Sequence, residues 1–240
     1  MKKKVFAANW KLFKGPQETK QYFENFLISS DDHEIVFFPP ALCIAQALQC
    51  VHGSRLQIGV QNISDQAEGA LTGENSARTA QEMGCTTVLI GHSERRQLFG
   101  ESLELISKKM KYAQSLGLKI ILCVGESSEE RESNRTTEVL KVQMETALSK
   151  ASSEGLIIAY EPVWAIGTGK TATPQMANET QGFIRGWLDQ NKFSNVPILY
   201  GGSVKPENAK DLISQPFIYG FLVGGASLNP ESFAQICQCS

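Results

Sequence analysis

The chain is 240 residues long, enough for one large domain with a single core, and α/β barrels reach this size without dividing. Its formal net charge of -2, with both signs interspersed, argues against a nucleic acid or an anionic membrane as a partner held by bulk charge. No apolar stretch reaches the length of a membrane span, and no Pro- or Ser-rich linker divides the sequence. We therefore expect one domain over residues 1–240, in which any anion binding is local.

The six cysteines are scattered without a framework spacing, and the first residues are basic but lack an uninterrupted apolar segment. Both features are typical of a cytoplasmic protein with free thiols. Cys237 and Cys239 have the spacing of a Cys-x-Cys metal clip, yet no further Cys or His lies nearby in the sequence to complete it. We expect no metal site there, and we expect Cys123, at a predicted strand end, to be a packed structural residue.

Short apolar runs recur along the whole chain and predict eight β-strands, at residues 5–9, 35–38, 58–62, 87–91, 119–124, 156–161, 197–200 and 221–223. The segments between them have helical spacing, most clearly in a stripe formed by Leu140, Met144, Ala147, Leu148 and Ala151. Helix boundaries are marked as well. Helix starts are indicated by prolines and N-cap residues at Pro16, Pro174, Pro206, Pro230, Thr173 and Asn229. Helix ends are indicated by Gly84 and Gly117.

Strict alternation of strands and helices requires parallel pairing through right-handed crossovers. Eight such units, with every strand apolar on both faces, fit a closed (β/α)8 barrel better than an open doubly wound sheet. A doubly wound fold would also be expected to have a G-x-G-x-x-G turn after its first strand, where this sequence has Asn9, Trp10 and Lys11. The predicted fold class is therefore α/β, a single-domain barrel of eight parallel strands ringed by helices.

Glu161 directly follows an apolar run, so its carboxylate is expected at the C-terminal end of a buried strand, where α/β barrels carry their chemistry. Pro162 stiffens the exit from the strand, and Gly167 and Gly169 allow the backbone angles of a segment that closes over a ligand. A carboxylate beside a closing loop suggests proton abstraction in a site without water. The same fragment is equally consistent with a solvated glutamate in an ordinary surface loop.

The other strand ends should open onto the same face of a barrel. They carry polar side chains and glycine pairs, at Asn9, Lys11, His92, Glu94, Gly201, Gly202, Ser203, Gly224 and Gly225. The glycine pairs, together with Ser203, offer backbone N–H groups and a hydroxyl that can hold a phosphate without a formal charge. Each feature also has an ordinary interpretation: a tight turn for a glycine pair, a structural role for His92, and a solvated side chain for Lys11.

Five segments, in order along essentially the full chain, resemble the triosephosphate isomerase family. They are residues 8–11 (Ala-Asn-Trp-Lys), 90–96 (Ile-Gly-His-Ser-Glu-Arg-Arg), 159–169 (Ala-Tyr-Glu-Pro-Val-Trp-Ala-Ile-Gly-Thr-Gly), 200–204 (Tyr-Gly-Gly-Ser-Val) and 220–228 (Gly-Phe-Leu-Val-Gly-Gly-Ala-Ser-Leu). The resemblance implies a TIM barrel that interconverts dihydroxyacetone phosphate and D-glyceraldehyde 3-phosphate through an enediol or enediolate. It implies neither a metal nor an organic cofactor.

The resemblance also implies roles for five residues. Glu161 is the base, and His92 is the electrophile, kept neutral because the positive end of a helix dipole disfavours imidazolium. Lys11 is the cation facing the enediolate and the phosphate, and Asn9 shares the hydrogen bonding around it. Glu94 resembles the family carboxylate beside Lys11 and His92, where it orients the lysine or relays protons.

Four further positions match those that hold the phosphate in this family: Gly167, Ser203, Gly224 and Gly225. Binding of that remote dianion supplies energy for closing the lid, so a truncated substrate is expected to lose turnover as well as affinity. Closure also protects the intermediate, because an enediolate beta to a phosphate readily eliminates it in water to give methylglyoxal.

A long polar connection at residues 62–76 is a candidate for assembly, since it exceeds the usual length of a loop between a strand and a helix. The resemblance implies a homodimer in which this loop inserts into a second subunit. Thr72 would then approach the partner's Asn9 and Lys11, and Glu74 would pair with the partner's Arg95. The ordinary alternative is a mobile surface loop.

The sequence departs from the family pattern at Tyr219, where an aspartate is common. That aspartate pairs with an arginine matched here by Arg185, so the resemblance leaves Arg185 without its expected carboxylate. An exposed bridge contributes only about 0–1 kcal/mol, and we expect the fold to tolerate its loss.

Two alternatives to an isomerase remain at this point. A different phosphate-binding barrel enzyme, such as a pentose-phosphate epimerase or an indole-glycerol-phosphate synthase, would share the glycine-rich loops but not Lys11, His92, Glu161 and a lid in one chain. A barrel retained only as a binding protein would usually have lost one of these three reactive side chains. The sequence therefore favours the isomerase.

Overall fold

The computed structural model describes residues 3–28, 33–165 and 172–239. Eight parallel strands form a closed barrel in which each strand pairs with its neighbour in sequence and the last pairs with the first. Their bounds are Val5–Asn9 (β1), Glu34–Phe38 (β2), Gln57–Val60 (β3), Thr87–Ile90 (β4), Lys119–Val124 (β5), Leu156–Tyr160 (β6), Ile198–Tyr200 (β7) and Gly220–Val223 (β8). The predicted (β/α)8 barrel is confirmed.

The strands are apolar on both faces because successive side chains point to opposite sides of the sheet. One set packs inside the barrel and includes Val5, Ala7, Ile121 and Ala159. The alternate set, which includes Phe6, packs in a larger cluster with the buried faces of the helices. Two apolar layers therefore hold the strand ends, and with them the site, in fixed positions.

Helices surround this barrel. Their bounds are Pro16–Asn25 (α1), Ile44–Val51 (α2), Ala77–Met83 (α3), Ser93–Leu98 (α4), Leu103–Ser115 (α5), Ser128–Glu132 (α6), Thr136–Leu148 (α7), Pro174–Gln190 (α8), Pro206–Ile213 (α9) and Pro230–Cys237 (α10). Short 3₁₀ turns occur at Ala41–Cys43, Val163–Ala165 and Gly225–Leu228. Among the helices of the described residues, none combines the length and the apolar character needed to cross a membrane.

The predicted helix boundaries are largely confirmed. All four prolines begin a helix, and Thr173 and Asn229 cap α8 and α10 by accepting backbone N–H bonds from Met176 and Ser232. The prediction was wrong at Ala151, because α7 ends at Leu148. Ala151 instead packs, partly buried, against the core just beyond the helix.

Arg185 on α8 has other partners in place of the aspartate that Tyr219 replaces. Its two terminal nitrogens donate hydrogen bonds to Val196 O at 2.7 Å and Phe193 O at 2.8 Å. Its Nε lies 3.0 Å from Asp189 Oδ1, although without the alignment of a hydrogen bond. The family aspartate is absent, as the sequence indicated, but Asp189, one turn further along the same helix, supplies another carboxylate.

Candidate active site

A cleft of about 770 Å³ opens at the C-terminal ends of the strands. Because all eight strands are parallel, side chains that are distant in sequence meet at this end of the barrel. Of the residues predicted for the site, seven line the cleft: Asn9, Lys11, His92, Glu161, Ser203, Gly224 and Gly225. Glu94 lies at the side of the cleft, bonded to Lys11. Gly167 lies outside the described residues.

Glu161 follows the last residue of β6 and is 1% exposed. Its Oε1 lies 3.0 Å from His92 Nε2, and its Oε2 accepts a hydrogen bond from the backbone N–H of Ser93 at 2.9 Å. Both carboxylate oxygens therefore have partners although the group is buried. A ligand oxygen that accepts the hydrogen bond from His92 Nε2 would free Oε1 of Glu161.

His92 is the N-cap of α4 and lies two residues after the end of β4. Its Nδ1 accepts a hydrogen bond from the backbone N–H of Glu94 at 3.3 Å. A ring nitrogen that accepts an N–H bond carries no proton, so in the neutral ring the proton lies on Nε2. This tautomer directs an N–H donor towards Glu161 and the cleft.

Lys11 lies in the left-handed region of the backbone, with a φ of 51°, which is uncommon for a residue other than glycine. Two side chains hold it there. Asn9 Oδ1 accepts from the Lys11 backbone N–H at 3.0 Å, and Gln61 Nε2 donates to the Lys11 carbonyl at 2.7 Å. The strained backbone at this position is therefore fixed from both sides, as is common at functional sites.

The Lys11 ammonium is paired with Glu94, whose Oε1 lies 2.6 Å from Nζ. The other carboxylate oxygen of Glu94 lies 3.7 Å from His92 Nδ1. Since Nδ1 carries no proton in the tautomer above, this approach is not an ion pair. Glu94 pairs with Lys11, and its own side chain remains 41% exposed. An anion that entered the cleft would compete with Glu94 for Lys11.

The glycine loops after the paired strands β7 and β8 both line the cleft. A Cβ at Gly224 would lie 3.5 Å from Lys11 Cε, so the second loop passes close to this side chain. Gly225 begins a 3₁₀ turn, and the first N–H groups of such a turn have no partner within it. The backbone N–H of Gly201 is bonded to Tyr160 O at 2.7 Å, so it does not serve a ligand.

Two residues near the site were given no role by the sequence analysis. Gln61, which also donates to Phe38 O at 2.9 Å, had no signal beyond its position just after β3. Glu126 is fully buried, and its Oε1 accepts from Tyr160 OH at 3.1 Å and from Trp164 Nε1 at 3.0 Å. A carboxylate so soon after an apolar strand was the signal that could have identified it.

Cys123 is 2% exposed and lies inside the barrel next to Glu161. Burial, and after it the negative charge of Glu161, hold the pKa of the Cys123 thiol well above its ordinary value. A thiol that stays protonated is a poor nucleophile. The prediction of a packed cysteine is confirmed, and all six cysteines are free thiols.

Comparison with known proteins agrees with this geometry. The family model described as triosephosphate isomerase matches residues 4–240. A triosephosphate isomerase of Bdellovibrio bacteriovorus is 50% identical over 237 residues, which cover 98% of each chain. Relatives of the same name from Solibacter usitatus and Aquifex aeolicus are 48% and 45% identical, with 98% of this chain and 99% and 98% of theirs covered. Because the matches span nearly the whole of both chains, this chain belongs to the triosephosphate isomerase family of enzymes.

Proposed function

We propose that this enzyme interconverts dihydroxyacetone phosphate and D-glyceraldehyde 3-phosphate, with Glu161 as the base. One observation carries the proposal. The Glu161 carboxylate and His92 Nε2 are 3.0 Å apart, at the wall of a cleft that also contains the Lys11 ammonium. A base, a neutral N–H donor and a cation are the three groups needed to form an enediolate from a hydroxy ketone. The name that the relatives share supports the same substrates.

In the proposed reaction, Glu161 removes a proton from the carbon next to the carbonyl, and the electron pair moves to the carbonyl oxygen. His92 donates its Nε2 hydrogen bond to that oxygen, and Lys11 opposes the negative charge of the enediolate. Asn9 and Glu94 keep Lys11 in place. Asn9 Oδ1 lies 3.0 Å from the Lys11 backbone nitrogen, and Glu94 Oε1 lies 2.6 Å from the Lys11 ammonium. His92 Nε2 also gives its proton to the former carbonyl oxygen and regains one from the hydroxyl on the first carbon, whose oxygen becomes the new carbonyl. The protonated Glu161 returns its proton to the adjacent carbon, so the reaction balances without a metal or an organic cofactor.

The phosphate of the substrate is proposed to lie between Ser203 and the backbone of Gly224 and Gly225, with Gly167 closing from the lid. The loop after β8 offers N–H donors at a short 3₁₀ turn, and Lys11 Cε lies close to Gly224. Binding of this remote group would supply energy for closure, which keeps water away from the enediolate.

The test is a coupled isomerase assay on the parent chain and on Glu161→Gln and Glu161→Asp, with Glu129→Gln as a control on an exposed carboxylate. A general base contributes about 100- to 10,000-fold, so kcat should fall by that order in Glu161→Gln, while the control keeps parental activity. Glu161→Asp retains the carboxylate but withdraws it by one methylene, so an intermediate loss is expected. If both Glu161 variants turned over like the parent, the base assignment would be wrong.

We also propose that the enzyme is a homodimer that uses the loop at residues 62–76. Large apolar side chains on the loops after β1 and β2 support this, since Leu12 and Leu42 are 95% and 92% exposed in the single chain. Leu12 is followed by Phe13, which is 55% exposed, so two consecutive large apolar side chains lie on the surface, as is common at interaction sites. The loop has a fixed base, where the Ser64 N–H donates to Asn75 O at 2.8 Å, while Thr72 is exposed.

Sedimentation of the parent, of Thr72→Arg and of the exposed control Thr137→Arg tests the dimer. The parent and control should sediment as dimers, and Thr72→Arg should dissociate and lose activity, because a charged side chain enters the proposed interface. A monomeric parent with full activity would remove the proposal.

A further inference from the structure

The carboxylate of Glu126 is fully buried, and three donors converge on one of its oxygens. Arg131 Nη1 lies 2.9 Å from Oε1, next to the bonds from Tyr160 and Trp164. An ionised carboxylate without water requires a counter-charge at close range. Arg131 provides that charge from α6, while 28% of its side chain remains exposed.

Arg131 also contacts Trp164 directly. Its guanidinium carbon lies 4.6 Å from the centroid of the Trp164 ring, within the range of a cation–π contact. The indole is therefore held at its face by Arg131 and at its N–H edge by Glu126 Oε1. One contact at the ring face and one at the ring edge restrain both the position and the tilt of the indole.

This held segment begins at the proposed base. The carbonyl of Glu126 accepts a hydrogen bond from Val163 N at 3.2 Å, and Val124 O accepts from Glu161 N at 2.8 Å. Only Pro162, whose ring fixes φ, separates Glu161 from Val163. A displacement of Trp164 would therefore be transmitted through two stiff residues to the Glu161 carboxylate.

We propose that Arg131 is a positioning residue for Glu161, which it holds in place through Glu126 and Trp164. The inference rests on the proposed function, because it concerns the accuracy with which the base meets the substrate. A misplacement of about 1 Å can cost about 100-fold in rate. Arg131 is not among the residues that line the cleft, so its proposed effect on the reaction passes through the segment that follows the base.

The test compares Arg131→Met and Arg131→Lys with Arg135→Met, an exposed arginine four residues further along the chain. We expect kcat to fall by about 10- to 100-fold in Arg131→Met with KM within about twofold of the parent, since the base moves while the phosphate contacts remain. Arg131→Lys keeps the charge but not the planar group that stacks on the indole, so it should restore part of kcat. Arg135→Met should match the parent.

A second readout follows Trp164 without substrate. In protein labelled with 5-fluorotryptophan, the ¹⁹F resonance of Trp164 is assigned by its disappearance in Trp164→Phe. We expect this resonance to shift in Arg131→Met and less in Arg131→Lys, while the resonances of Trp10 and Trp187 stay in place. Loss of stability alone would not move one tryptophan signal selectively.

The outcomes distinguish failure of this inference from failure of the proposed function. An inactive parent chain would refute the proposed function, whereas an active parent with unchanged kcat and an unmoved Trp164 resonance in Arg131→Met would refute the positioning role. A parallel rise in KM with kcat unchanged would also overturn it. If Arg131→Met does not fold, Arg131→Lys decides: we expect a several-fold fall in kcat with a shifted Trp164 signal, and parental values would refute the role.

Discussion

Gly125 shows how closely the residues behind the base are packed. A Cβ at this position would lie 1.8 Å from the backbone oxygen of Glu161, so only glycine allows the ends of β5 and β6 to approach in this way. The Gln143 side chain fixes Gly125 further, accepting from its N–H at 2.8 Å and donating to its carbonyl at 3.0 Å. The backbone of the base thus rests directly on the loop after β5.

We predict that Gly125→Ala destabilises the protein and lowers kcat/KM, because the two strand ends must separate by more than a side-chain adjustment. The matched control is Gly186→Ala on α8, where a Cβ has nothing within 4 Å. In a helix interior this change should stabilise by about 0.5–1 kcal/mol. Urea unfolding and the isomerase assay measure both effects, and equal stability for the two variants would contradict the prediction.

The sequence identified the residues whose role can be inferred from residue type and position alone. Glu161, His92 and Lys11 stand directly at or after strand ends, and parallel strands bring such positions together. Gln61 and Arg131 were not identified, because each acts by a hydrogen bond or a ring contact to another residue of the site. Contacts of that kind depend on distances that a linear sequence does not contain.

At the scale of elements, a buried ionic cluster connects β3, α4 and α5. Glu101 Oε1 lies 2.5 Å from Lys109 Nζ and 2.6 Å from Arg95 Nε, and Lys109 also donates to Asn62 Oδ1 at 2.7 Å. Lys109 and Glu101 are 3% and 7% exposed. The cluster therefore joins the base of the loop at residues 62–76 to the helix that His92 begins.

We predict that Lys109→Met destabilises the protein by about 3–5 kcal/mol, because it leaves a buried carboxylate with less of its counter-charge. Lys108→Met is the control, since Lys108 is exposed on the same helix. Chemical unfolding at one fixed protein concentration gives both values. A Lys109 variant within about 0.5 kcal/mol of the control would show that the remaining Arg95 contact is sufficient, against this prediction.

Helix starts were more predictable than helix ends. A proline at the first position and a hydroxyl or amide before it mark a start by local chemistry, as at Thr173 and Pro174. The end of α7 was misplaced because Ala151 continues the apolar spacing although the chain has already left the helix. The apolar pattern reports burial, which a residue beyond the helix can share. The new partner of Arg185 was equally invisible, since Asp189 also suits a solvated position.

For the whole molecule, the closed barrel followed from the number and alternation of the apolar runs. Eight strands that are apolar on both faces need cover inside and outside, and closure provides both. The sequence could not indicate how many polar groups this closure buries. Buried thiols and phenols lie in the two apolar layers, and their titration belongs to the fold as a whole.

Burial raises the pKa of Cys85 to about 11. It also raises the pKa of Tyr200 to about 12, although a hydrogen bond with the backbone of Ala172 acts in the opposite direction. Burial likewise raises the pKa of Cys239 to about 11 and that of Cys237 well above its ordinary value. Each of these groups is neutral when protonated and has a folded pKa above its unfolded one. Its contribution to stability is therefore complete below the unfolded value, near 9.0 for the thiols, and is lost as the pH rises through the folded value.

We predict that the melting temperature is nearly constant from about pH 7 to 8.5 and then falls steeply between about pH 9 and 11, because the unfolded chain releases these protons first. Melting curves in the presence of a reductant measure this, since oxidation of the thiols would obscure it. Cys85→Ala removes one of the titrating groups, so the loss between pH 7.5 and 10.5 should be smaller than in the parent, whatever the variant's stability at neutral pH. An equally steep loss in the variant would assign the alkaline transition to the phenols or to surface charge instead of the buried thiol.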